Sequence, residues 1–249
     1  VREGLESVRV VLVGTTHPGN IGSAARAMKT MGLRRLVLVD PQRFPSAEAT
    51  ALAAGADDLL TGAMVFPSLE EAIADCVWVV GTSARSRGQS VPVLSPQPAA
   101  NALLAHAAGG PVALVFGRES SGLSNDELDR CNAFVQIPTD PDFRSLNLAA
   151  AVQVMAYTCR IAALEEGEER PVEESYDPPA TQQEMEALFE HYLRVLIQID
   201  FVNPEHPRHL MRRLRHLYQR KGMTASEVRI LRGILTHTER GGGRRPARP

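Results

Sequence analysis

Six short apolar runs punctuate the first two-thirds of the chain: "VRVVLV" (8–13), "RLVLVD" (35–40), "AMVF" (63–66), "VWVVG" (77–81), "VALVF" (112–116) and "AFVQI" (133–137). Apolar residues follow one another almost without polar interruption, which predicts strands buried on both faces, as in a parallel sheet. The segments 22–31, 47–54, 68–75, 98–108 and 124–131 carry helical spacing between them. Strand and helix alternate, so the expected fold class is α/β, a parallel sheet with helices on both faces.

Beyond the last run the period changes. In "LNLAAAVQVMAYTCRIAALEE", Leu148, Val152, Met155, Cys159 and Ala162 recur at three- and four-residue spacing, predicting a long closing helix with one apolar stripe. Residues 165–180, "EEGEERPVEESYDPPA", hold seven acids and three prolines without apolar periodicity, the marks of a linker. Only helices are expected after it, at about 181–199, 206–221 and 224–239. In the second of these, Leu210, Leu214 and Leu217 share a stripe, with Arg212, Arg213, Arg215 and Arg220 over the rest. The pattern divides the chain into an α/β domain (1–164), an acidic linker (165–180), a helical basic domain (181–240) and a basic, disordered tail (241–249).

Composition adds limits to this picture. The 249 residues are 44% hydrophobic and 22% charged, an ordinary globular balance with room for one large domain or two modest ones. No apolar run approaches the roughly 20 residues that span a bilayer. The opening "VREGLESVRV" lacks the charged-then-apolar order of a signal peptide, so no membrane association and a cytoplasmic location are expected. Cys76, Cys131 and Cys159 are widely spaced and odd in number, which fits reduced thiols and supports neither a zinc site nor a disulfide framework.

Charge is unevenly spread beneath a net of −2. Residues 1–164 hold 13 Lys/Arg against 15 acids, residues 165–180 one Arg against seven, and residues 181–249 13 Lys/Arg against seven. The basic C-terminal region suggests a polyanionic partner, although a solvated helical surface would carry the same charge.

Candidate chemistry gathers where strands run into helices, the place where open α/β sheets bind ligands. After 8–13 comes "THPGNIGSAARAMKTMG", in which Pro18-Gly19-Asn20 reads as a turn and Asn20 or a neighbour as a cap for the helix that follows. Ala24, Ala27, Met28 and Met31 form the apolar stripe of the helix that follows. Ser23, Arg26 and Thr30 lie on another face, so Arg26 is free to project near the turn. After 112–116 comes "GRESSGLSNDEL", with Gly117-Arg118-Glu119, then Gly122, then a capping-box pair Ser124 and Glu127. The strand at 133–137 ends at Ile137-Pro138, and Ser145-Leu146-Asn147 open the long helix. The strand at 77–81 runs into Thr82, Ser83, Ala84 and Arg85, small polar residues that could line a cofactor pocket, with Arg85 and Arg87 either touching phosphates or solubilising the loop. No G-x-G-x-x-G is present, which counts against a dinucleotide-binding oxidoreductase.

In order and spacing these residues resemble the SPOUT superfamily of RNA methyltransferases, in its SpoU/TrmH-like branch of ribose 2′-O-methyltransferases. The branch's first motif, Asn-x-Gly-x-x-x-Arg, corresponds to Asn20, Gly22 and Arg26. Its second corresponds to Gly117, Glu119, Gly122 and Leu123, and its third to Ile137, Pro138, Ser145, Leu146 and Asn147. Two departures stand out: Gly14 occupies a place where relatives often carry an acid, and "PTDPDF" replaces a glycine-containing loop. The resemblance implies a sheet whose C-terminal part is threaded into a trefoil knot, a homodimer, and S-adenosylmethionine as methyl donor, leaving S-adenosylhomocysteine, with no metal. It implies a cofactor pocket of Thr82, Ser83, Ala84, Gly117, Ile137, Ser145, Leu146 and Asn147. By the same resemblance Arg26 would take the catalytic role, facing the partner's cofactor, with Asn20 holding the turn and Glu119 and Ser145 orienting the arginine or the ribose. RNA would meet Arg26, Arg85, Arg87, Arg118, Arg212 and Arg213. "FVNPEHPRHLMRRLRHLYQRKGMTASEVRILRGIL" extends the resemblance to a tRNA-modifying subgroup, implying tRNA as partner and cytidine or uridine 32 of the anticodon loop as target. The alternatives are an rRNA substrate and a non-catalytic RNA-binding protein of the same fold.

Overall fold

Strand β1 (Val8–Val13) sits inside a parallel sheet in a computed structural model that describes residues 2–83, 92–165, 177–205, 207–219 and 222–241. A short helix α1 (Arg2–Glu6) precedes it, and α2 (Pro18–Met31), β2 (Arg35–Val39), α3 (Ala47–Ala53), α4 (Asp57–Thr61), β3 (Met64–Phe66) and α5 (Leu69–Ala72) follow. Next come β4 (Trp78–Thr82), β5 (Val93–Leu94), α6 (Pro96–Ala107), β6 (Val112–Phe116), α7 (Asn125–Leu128), β7 (Ala133–Val135) and α8 (Leu148–Glu165). The described strands stand in the order β3-β2-β1-β6-β4-β7-β5, and each pairing is parallel.

The apolar runs are continuous because both sheet faces are covered. Val8, Val10 and Leu12 of β1 and Val112, Leu114 and Phe116 of β6 join one core with α2, α6 and α8. Val11, Val13, Ala113 and Val115 join the other core with Leu69, Ile73, Leu123 and Leu128. Each fully buried Val or Leu contributes about 1.5–3 kcal/mol relative to exposure. Arg9, 5% exposed in the middle of this apolar run, is kept there by two hydrogen bonds to the Asp75 carboxylate (2.7 and 2.8 Å) and one to the Ala72 carbonyl (2.7 Å).

The stripe foreseen on α8 is buried at Leu148, Val152, Met155, Cys159 and Ala162. This helix is long and apolar enough to cross a bilayer by length and composition, but its stripe is core and the helix lies against α2 and α6. Helix α2 begins earlier than its sequence suggests. Pro18 is already its first residue, where the missing N–H costs nothing, so Asn20 lies in the first turn instead of preceding the helix. Gly22 lets α3 come close: a Cβ there would lie 2.1 Å from the Ala49 carbonyl oxygen.

Three further helices follow, α9 (Gln182–Gln198), α10 (Arg208–Gln219) and α11 (Ala225–Gly241). Thr181 and Glu184 form a capping box that opens α9. These helices share a core of Met185, Leu188, Phe189, Val195, Val228 and Leu235. The leucine stripe expected on α10 is not its packed face, since Leu217 is 62% exposed. Met211 and Tyr218 pack instead, with Arg215 lying 4.7 Å over the Phe189 ring and bonded to Glu186. The end of the acidic segment is not a free tether. Pro178 and Ala180 bond to Ala225 and Met223, and Gln182 and Gln183 donate backbone N–H groups to Cys76 and Ala74. Residues 166–176 and 242–249 lie outside the described residues.

Candidate functional site

Strand order reverses direction between β1 and β6, so the turns that follow these two strands meet at the carboxyl edge of the sheet. Glu119, just past β6, is the hub. Its carboxylate accepts from the Thr16 N–H (3.2 Å), the Thr16 hydroxyl (3.0 Å), the His17 N–H (3.3 Å) and the Asn20 amide (3.0 Å). The Asn20 Oδ1 in turn accepts from the Asn147 amide at 3.0 Å. Asn147 caps α8 as well, its Oδ1 accepting from the N–H groups of Ala149 and Ala150. Residues 127 positions apart are thereby locked into one polar clamp.

Burial draws the Glu119 carboxyl upward, but the Asn20 amide and the backbone N–H groups of Glu119, Thr16 and His17 outweigh it and hold the group below its ordinary range. A carboxyl depressed by folding adds stability that is full above its unfolded pKa and disappears as pH falls through the folded value. Glu119→Gln is therefore expected to be less stable than wild type at pH 7. The gap should narrow as pH drops below the ordinary value of 4.5. Urea midpoints measured along that range check it, and a pH-independent gap would mean the charge is irrelevant.

Beside the clamp opens a cavity of about 500 Å³, within the size range of cofactor sites. Thr82 and Ser83 line it from β4, Gly117 to Leu123 from the turn after β6, and Ile137, Ser145 and Leu146 from the segment after β7. The turn after β6 closes tightly on itself, with Arg118 and Gly122 exchanging backbone hydrogen bonds at 3.2 and 2.9 Å. Gly117 makes this possible, since a Cβ would stand 2.2 Å from the Gly122 carbonyl carbon. Gly122 itself has φ of 70°.

Asn147 does not line the cavity; its side chain is used on Asn20 and on the α8 cap. Arg118, expected to meet RNA, lines the cavity and forms a two-pronged pair with Glu127 at 2.9 and 3.0 Å. Its side chain lies across Gly14, where a Cβ would come within 2.8 Å of Nε, so no acid could stand there without moving the arginine. Burial raises the Glu127 carboxyl, but Arg118 and Ser124 hold it below the usual range. Arg212 pairs with Asp129 at 2.8 Å, bracing α10 against the turn after α7, whereas Arg213 is exposed with no bonded partner among the described residues. Ala84, Arg85 and Arg87 lie outside the described residues.

Arg26 stands apart from the clamp and the cavity. It stands six residues along α2 from Asn20, about 9 Å of helix rise. Its side chain is exposed, bonds to no described residue, and is not part of its own chain's cavity wall, so Glu119 braces the turn and not the arginine. Thr16, His17, Phe116, Thr139 and Arg144 belong to the clamp or the cavity although no motif pointed to them. Burial pushes the Cys76 and Cys159 thiols up to about 12 and Cys131 upward too, leaving all three protonated. Among the described residues no group of three His, Cys, Asp or Glu side chains could hold a metal ion.

The domain that carries the clamp and the cavity is also the part of the chain that matches a family: residues 7–157 match the SpoU rRNA Methylase family, and the chain belongs to that family. Residues 183–248 match a second model, the C-terminal domain of the tRNA methyltransferase TrmJ. The tRNA (cytidine/uridine/adenosine-2′-O-)-methyltransferase TrmJ of Pseudomonas aeruginosa is 51% identical, with 95% of each chain covered. Among solved structures, TrmJ from Z. mobilis is 36% identical with a TM-score of 0.80, covering 93% of this chain and 98% of its own. The SpoU methyltransferase AviRb from Streptomyces viridochromogenes, solved with AdoMet, shares the fold at 24% identity, with a TM-score of 0.52 and coverage of 66% and 63%.

Proposed function

We propose that the protein transfers a methyl group from S-adenosylmethionine to a ribose 2′-oxygen of tRNA, at cytidine or uridine 32 of the anticodon loop. The observation that carries this reading is the Glu119–Asn20–Asn147 clamp, which joins all three motif turns beside a cavity of cofactor size. The residues fit such a cofactor: the Gly117–Gly122 turn lines the cavity, Thr82, Ser83 and Ser145 offer hydroxyls, and Phe116, Ile137 and Leu146 offer apolar wall. S-adenosylmethionine supplies a methyl group on a cationic sulfur, and its transfer needs alignment above all.

The attacking 2′-hydroxyl is a weak nucleophile. Guanidinium groups keep their proton in proteins. On this reading Arg26 orients the ribose-phosphate through its planar fork and steadies negative charge developing on the oxygen. Because Arg26 is absent from the wall of its own chain's cavity, a second copy is the natural source of the arginine at each site, and the working unit is a homodimer. The sheet order, with β6 between β1 and β4 and β7 outside β4, is compatible with the family's trefoil knot. Residues 1–164 would carry the chemistry and 181–240 would position tRNA, in the cytoplasm.

Total tRNA and rRNA from a strain lacking this gene, incubated with the protein and labelled S-adenosylmethionine, test the reading. Label is expected at a 2′-oxygen of position 32 in tRNA. Because the Pseudomonas relative is named for adenosine as well, tRNAs with each base at position 32 belong in the assay. Label confined to rRNA, or landing on a base, would overturn the proposal. Arg213→Ala is expected to weaken tRNA binding evenly across sequences and to lower the salt slope of log K by about 1, as loss of one phosphate contact does. A binding titration at several salt concentrations measures both.

A further inference from the structure

Between the strand β7 and the cap of α8, the chain holds an aromatic ring out into water. Phe143 is 76% exposed, more than any other large hydrophobic side chain among the described residues. Its backbone is firmly built. The Phe143 N–H donates to the Asp140 carbonyl at 3.1 Å, the Asp142 N–H to the Asp140 carboxylate at 2.8 Å, and Arg144 Nε to the Pro141 carbonyl at 3.0 Å. Thr139 on one side and Arg144, Ser145 and Leu146 on the other line the cavity. Four residues on, Asn147 is fixed to Asn20, so the ring's Cα is at most about 14 Å from that of the clamp residue.

We propose that Phe143 is a substrate-positioning residue, a stacking platform for an unpaired base of the tRNA at the methylated nucleotide or its neighbour, with the Arg144 guanidinium beside it. This rests on the reading of the protein as a tRNA methyltransferase. A loop nucleotide whose ribose is to enter the site carries a base that has left, or never joined, a helical stack. Such bases are recognised by aromatic faces and guanidinium planes, and stacking accepts any base. A platform of this kind holds the nucleotide without dictating its identity, which suits a site acting on more than one base. The hydrogen-bonded turn already holds the ring outward, so less conformational freedom is lost when a base settles on it.

Phe143→Ala is expected to lower kcat/KM for tRNA roughly tenfold, in the range seen when a base-stacking aromatic is removed. The KM for S-adenosylmethionine and the sedimentation behaviour should stay as in wild type. Phe143→Trp should restore most of the activity, and its indole emission should be quenched by an anticodon stem-loop but not by a fully paired duplex. Trp78, the only natural tryptophan, is buried and supplies a constant background. Alanine activity within twofold of wild type would overturn the proposal. So would a loss of activity that tracks a changed oligomeric state, which would assign the ring to contact between copies. A wild-type protein inactive on every tRNA would instead remove the functional reading beneath it, a result visible before any variant is made.

Discussion

Arg26→Ala is expected to lower kcat on tRNA by about 10²–10³-fold, the loss typical of removing one charge-stabilising donor from an active site. Stability should change by no more than about 0.5 kcal/mol, because the side chain is exposed and bonds to no described residue. The separation matters: Arg26 contributes to no fold-defining contact, so a loss of turnover in a stable variant is a loss of chemistry. Arg26→Lys then divides two accounts of that chemistry. Lysine supplies a point charge but cannot make two parallel hydrogen bonds from one plane. If the fork orients the ribose-phosphate, lysine recovers little of the lost turnover. Near-full recovery would make the fork irrelevant and leave only a nearby positive charge. Single-turnover rates at saturating tRNA, with a thermal melt of each variant, provide the comparison.

What could be seen of this site in the sequence follows from the range of the forces involved. The bounds of β1 and β6 agree with their apolar runs at 8–13 and 112–116, because a strand buried on both faces writes its whole length in apolar residues. Strand β5 is two residues long with Val93 half-exposed, too short to leave a periodic mark, and α4 is only five residues. The Ser124–Glu127 box was legible as a local cap, and it forms. That Glu127 also holds Arg118 was not legible, since the arginine reaches it only after the turn folds back. Asn20 shows the same limit more sharply. A Pro-Gly-Asn sequence suggests a turn, yet Pro18 starts the helix and the asparagine is committed to Glu119 and Asn147, partners 99 and 127 residues away. Gly22, grouped by motif with the site, meets a helix backbone instead. Motif spacing could assemble the right residues at one sheet edge, but which residue holds which required the tertiary contacts.

Gly117→Ala is expected to disable the cavity proposed for the cofactor while leaving the sheet intact. The added methyl would stand 2.2 Å from the Gly122 carbonyl carbon and 2.3 Å from the Leu123 nitrogen, both backbone atoms that cannot swing aside. Relief requires the turn to open, which breaks the paired bonds between Arg118 and Gly122 and shifts Leu123 in the cavity wall. Overpacking of this kind costs about 1–3 kcal/mol. If the whole of it falls on the binding-competent form, affinity for S-adenosylmethionine drops by about 5–150-fold, measurable by calorimetry. The damage is confined to one cavity, and this makes the variant useful beyond its own defect. Arg26→Ala chains keep a sound cavity, and Gly117→Ala chains keep their arginine. If each site takes its cavity from one chain and its arginine from the other, a mixed dimer carries one site with both parts sound and one with both damaged. Random exchange of equal amounts makes about half the dimers mixed, so activity should return to about a quarter of wild type. If cavity and arginine come from the same chain, every site in every dimer has one damaged part, and mixing restores nothing. Mass-verified heterodimers that stay inactive would therefore place Arg26 at its own cavity, and would require α2 to swing its exposed face toward it when tRNA binds.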